Sequence, residues 1–131
     1  MNTKFVMTLS AIIMGSIGIS ASFIPHEMLV YIDLPTNQPM PILIQVMGAM
    51  YLAFSMINWF AKNNLIGGIY SKPIAIGNFT HFLIASLALA KGINTETGPS
   101  VLWAITVIYI IFALLFGYIV FGNPIKRDDA I

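Results

Sequence analysis

A chain of 131 residues that is 58% hydrophobic and only 8% charged cannot clothe a water-soluble domain, where about a quarter of residues are charged. A net charge of +1 excludes the concentrated basic face that nucleic acid requires. The absence of cysteine removes disulfides, thiolate nucleophiles and cysteine-held metals or clusters.

Four apolar runs, 5–24, 42–61, 73–91 and 101–121, leave all five acidic residues outside them. Each run is about 20 residues, the length with which a helix crosses roughly 30 Å of hydrocarbon. The expectation is an all-α integral membrane protein, a four-helix transmembrane bundle forming a single domain over 1–131. The lipid bilayer is its first partner.

The first run follows Lys4 and ends near Ser20-Ala21-Ser22, which invites reading it as a signal peptide. It exceeds the roughly 7–15 apolar residues of a signal sequence, so a retained span is expected. Ala11, Gly15, Gly18 and Ser22 fall on one helical stripe. Small residues let backbones approach closely in lipid, so this stripe predicts a helix–helix contact. Such stripes also permit a homo-oligomer without requiring one.

The first connection holds Pro25, Pro35, Pro39 and Pro41. Pro25 disfavours helical geometry at Ile24, and the segment from His26 to Ile32 suits a short interfacial helix.

In the second run, Gln45, Gly48, Leu52, Ser55 and Trp59 follow 3/4 spacing, and Tyr51, Asn58 and Lys62 form an adjoining stripe. Amides left unpaired in hydrocarbon cost several kcal/mol, so this polar arc should face protein or a cavity. Asn63-Asn64 and Gly67-Gly68 then suit a tight turn.

The third run begins at Pro73 and carries Asn78 and His81 on neighbouring positions of one face, continued by Ala85 and Ala88. His81 lies roughly 12 Å along the helix from Pro73, toward mid-bilayer. An ionisable residue at that depth is a functional candidate by default, and a neutral imidazole brings one donor and one acceptor to satisfy. Helices two and three, joined by a short turn, are expected to be antiparallel neighbours. The expected site is one cluster of Asn58, Asn78 and His81, with Tyr51 at its deeper edge and Gln45 farther along.

The third connection carries Lys91, Gly92, Gly98 and Pro99, and a polar tail with Lys126, Arg127, Asp128 and Asp129 follows the fourth run. That run offers only Thr106, Tyr109 and Tyr118 as polar groups and reads as a packing and lipid-facing span.

Alternating sides put Lys4, Lys62, Lys72, Lys126 and Arg127 on one face and Lys91 on the other. Basic loops stay cytoplasmic, so both termini are expected inside a bacterial inner membrane. Trp59 and Tyr118 near inner ends, and Trp103 and Tyr31 near outer ones, agree with that placement.

Catalytic constellations are not found. His26 lies just outside the outer end of the first run and His81 well inside the third, so the two cannot readily flank one haem iron. Paired intramembrane carboxylates, a zinc-protease motif, a serine triad and a glycine-rich phosphate loop are all missing. No metal or cofactor is assigned, and enzymatic activity stays open.

The runs Phe23-Ile24-Pro25-His26-Glu27, Gln45-Val46-Met47-Gly48-Ala49-Met50-Tyr51-Leu52 and Asn58-Trp59, with Gly67-Gly68-Ile69-Tyr70, Pro73 and Gly77-Asn78, resemble small four-span bacterial membrane proteins of the DoxX-like type. The resemblance covers roughly residues 5–91. It implies a four-helix bundle, in some members associated with membrane redox systems. Several members carry an acidic residue near the start of the second or third span, where this chain has Gln45 and Asn78.

The leading expectation is a binding or accessory protein that holds a small apolar or amphipathic molecule, such as a lipid or quinone-like ligand. Gln45, Tyr51, Asn58, Asn78 and His81 are its candidate binding residues. A small transporter subunit is the alternative, and a membrane isomerase- or oxidoreductase-like enzyme with His81 as acid or base comes third.

Overall fold

A computed structural model describes residues 2–64, 66, 68–93 and 99–122. The described chain is all helical: α1 (Thr3–Phe23), α2 (Pro25–Tyr31), α3 (Met40–Ala61), α4 (Lys72–Gly92) and α5 (Ser100–Phe121). Among the described residues, α1, α3, α4 and α5 are the four helices long and apolar enough to cross a membrane. They match the four expected spans to within a few residues. Gly67, Gly98 and the charged tail from Lys126 to Asp129 lie outside the described residues.

Local chemistry sets the helix ends. The Asn2 side chain accepts from the Phe5 N–H at 3.2 Å and caps α1. Ile24 leaves helical geometry (φ −129°, ψ 52°) because Pro25 follows it, and Pro25 then opens α2 from the first helical position. Proline again stands in the first turn of α3 and of α4, where a missing N–H is harmless.

The short α2 ends in a Schellman motif. The Leu34 N–H donates to the Leu29 carbonyl and the Asp33 N–H to the Val30 carbonyl. Asp33 occupies the left-handed position, at φ 57°, where glycine is the usual occupant. Left-handed geometry costs an ordinary L-residue roughly 1–2 kcal/mol, less for Asp than for most.

Two antiparallel pairs build the bundle. In the first, α1 packs on α3 along the small-residue stripe. A Cβ at Gly18 would lie 2.9 Å from the Leu52 nitrogen, and one at Gly48 would lie 2.8 Å from the Ser22 nitrogen. These are backbone atoms that cannot swing aside, so glycine here is a packing requirement. The Ser55 hydroxyl donates to the Ala11 carbonyl at 2.7 Å and stitches the pair. The expected small-residue contact is therefore present, and its partner is the second span.

Aromatic stacking joins the second pair, α4 and α5. Phe82 of α4 stacks on Phe112 at 4.8 Å and meets Tyr109 edge-on at 5.2 Å, both favoured ring arrangements. The fourth span thus buries Thr106, Tyr109, Ala113 and Phe116 at 3/4 spacing.

The expected neighbours α3 and α4 do meet, through side chains, but each packs its backbone far more closely on its own partner. The face of the bundle where α1 begins is closed by Met7, Ala61, Ile66, Ala75 and Phe116, all in one buried cluster. Toward the opposite face, which carries α2, the two pairs leave a cleft between α3 and α4.

Candidate functional site

The expected cluster divides into two structures on one helix boundary. Asn58 and Asn78 face each other across α3 and α4 and exchange two hydrogen bonds of 2.7 Å each. The second amide hydrogen of Asn58 goes to the Ser10 hydroxyl at 3.1 Å, and that of Asn78 to the Ile74 carbonyl at 2.9 Å. Both residues are 0% exposed. With every amide hydrogen committed inside the protein, the pair ties α1, α3 and α4 together at a depth where water is scarce.

His81 lies one turn farther along α4, and its partners are rings rather than amides. Its imidazole meets Tyr51 edge-on at 5.2 Å, lies 5.2 Å from Phe54, and touches Phe82 and Tyr109 at 5.3 and 5.9 Å. Its Nε2 is buried and has no hydrogen-bond partner. Beside it, the Tyr109 hydroxyl donates to the Tyr51 hydroxyl at 2.9 Å. Two phenols bring two hydroxyl protons and this bond uses one, so the aromatic box holds polar capacity that the pair does not consume.

A cavity of about 230 Å³ runs along this box, lined by Met47, Met50, Tyr51, Phe54, His81 and Ala85. Met50 is 60% exposed and Met47 47%, so the cavity opens sideways between α3 and α4, onto the surface that lipid would cover. It adjoins a larger cleft of about 530 Å³ toward the α2 face, which shares Met47, Tyr51 and Ala85 and continues past Ala88, Leu89 and Leu102 to Asp33. Cavities of this size and mostly apolar lining suit a small molecule.

Gln45 is placed elsewhere. It is exposed near the start of α3 and its Nε2 reaches the Ser22 carbonyl at 3.4 Å, on the α1 side. The 3/4 stripe of Gln45, Gly48, Leu52 and Ser55 thus faces α1, and the adjoining stripe of Tyr51 and Asn58 faces α4 and α5. Trp59 is exposed with the Lys62 ammonium 3.1 Å above its ring, a cation–π contact at the end of its helix. On α4, Asn78 turns to the core while His81, Ala85 and Ala88 line the cleft.

Tyr109 is the site residue that sequence reading passed over. The signal for it was present in the spacing of Thr106, Tyr109, Ala113 and Phe116, which marks a buried stripe on an otherwise uniformly apolar helix. Among the described residues no three His, Cys, Asp or Glu side chains gather where they would hold a metal.

Comparison with protein-family models, with curated proteins and with solved structures finds no match for this chain. The functional reading therefore rests on the geometry of the cleft.

Proposed function

We propose that this polytopic protein is a binding or accessory protein that holds a small apolar or amphipathic molecule in the cleft between α3 and α4. The observation that carries the reading is His81 Nε2, buried without a partner at the wall of a lipid-facing cavity. An unsatisfied polar atom in such a place costs free energy, and a ligand polar group bonded to it would recover that cost. The Tyr51 hydroxyl, which lines the cavity and keeps its own proton free, supplies a second polar contact, and the buried Tyr109 holds it in place. Met47, Phe54 and Ala85 supply the apolar wall. Asn58 and Asn78 act by fixing α4 against α3, which holds His81 in register with Tyr51.

The same reading places the chain in a bacterial inner membrane with the first end of α1 in the cytoplasm. Lys4, Lys62 and Lys72 stand at the face where α1 begins and Lys91 at the α2 face, and basic residues favour the inside. A DoxX-like relationship is compatible with the four-span layout and adds a quinone-like molecule to the ligands worth testing.

Native mass spectrometry of the detergent-extracted protein tests the proposal. Wild type should carry a small molecule that His81→Leu loses and Tyr51→Phe retains less well, both variants still inserting as four spans. Equal ligand content in wild type and His81→Leu would refute it.

A further inference from the structure

We infer that Asp33 at the α2-face mouth of the cleft selects its occupant, a single-chain amphiphile with an ammonium headgroup that enters from the bilayer; this rests on the binding reading above. Three observations meet at this residue. Asp33 lines the mouth of the larger cleft, whose other end is walled by Tyr51. It holds the left-handed position of the α2 Schellman motif, φ 57°, where glycine would be easier. It also follows the C-terminus of α2, where the helix dipole disfavours a negative charge. The dipole thus opposes a carboxylate here, while the left-handed geometry, which Asp tolerates better than most residues, makes only a small further demand.

The surroundings favour a cation. No Lys or Arg occurs between Lys4 and Lys62, so α1, α2, α3 and their connections bring only Glu27 and Asp33 as charged side chains to this face, besides His26. Lys91 ends α4 on the same face but is not among the residues lining the cleft. From Asp33 inward the walls are Met47, Ala85, Ala88, Leu89 and Leu102, which suit an alkyl chain and offer no charge. The sideways opening at Met47 and Met50 makes the bilayer the source, with the headgroup staying at the interface while the chain slides between α3 and α4. Asp33 is itself exposed at the mouth, so its carboxylate meets a headgroup that stays at the interface and attracts it with the modest strength of a surface ion pair.

The test compares three probes with one dodecyl chain: dodecylammonium, dodecanol and dodecanoate. Binding is measured to the protein in phosphatidylcholine nanodiscs, against protein-free discs. Wild type should bind dodecylammonium roughly three- to fivefold more tightly than dodecanol, and dodecanoate least. Asp33→Gly keeps the left-handed turn while removing the charge, and should bring dodecylammonium to within about twofold of dodecanol. Asp33→Asn, also tolerant of that geometry, should behave likewise. Equal binding of all three probes to wild type, or an unchanged ammonium preference in Asp33→Gly, would overturn the role of Asp33 while leaving the cleft a binding site. No saturable binding of any probe would overturn both.

Discussion

Asn58 and Asn78 close an eight-membered ring of two 2.7 Å hydrogen bonds between α3 and α4. The ring lies on the boundary between two tightly packed helix pairs, and only one other side-chain hydrogen bond, Tyr109 to Tyr51, joins the pairs among the described residues. Apolar contact between helices is little different from their contact with lipid tails, so directional bonds carry much of the register. His81 depends on that register, standing one turn beyond Asn78 on the same helix.

Replacing either asparagine with leucine should destabilise the bundle by about 1–3 kcal/mol, because it strands the amide left behind. The double variant Asn58→Leu/Asn78→Leu should cost less than the sum of the two single changes. Reversible unfolding in mixed micelles gives the three numbers. Strict additivity would mean that the ring contributes no coupling.

Glycine positions should separate sharply by what faces them. Gly48→Ala drives a methyl to 2.8 Å from the Ser22 nitrogen and should cost on the order of 1–3 kcal/mol by overpacking the α1–α3 seam. Gly77→Ala meets nothing nearer than Phe54 at 3.8 Å. It should be neutral or stabilising by up to about 1 kcal/mol through helix propensity. The same unfolding measurement ranks them, and equal effects would show that the seam is looser than described.

Orientation is open to a direct experiment because the chain has no cysteine. Glu27→Cys, on α2, should react with an impermeant maleimide applied outside intact cells, whereas Asn63→Cys, just after α3, should react only after the membrane is opened. Labelling of Asn63→Cys alone from outside would invert the proposed topology.

Much of this architecture was legible before any coordinates. Pro25 marked the break between α1 and α2, and the Ala11–Gly15–Gly18–Ser22 stripe marked a close helix contact, since both effects act through neighbouring residues on one helix. The nearness of Asn58 to Asn78 also followed, because a short turn between two spans places both in the same half of the bilayer. The partition of the polar residues did not follow. Spacing put Asn78 and His81 on one face, but a helical face is broad enough for Asn78 to turn inward while His81 turns toward the cleft. Tyr109 was hidden for a different reason: on a helix with apolar residues all round, periodicity gives a faint signal of which side is buried.

By itself the sequence determined the solvent, the number of spans and their ends, because length, hydropathy and proline chemistry are local properties read along the chain. Tertiary structure alone decided that α1 pairs with α3 and α4 with α5, that the amides satisfy one another, and that the imidazole is left beside an open cleft. Those outcomes depend on how far each helix rotates about its axis against its neighbours, and that rotation is fixed by packing between segments distant in the chain.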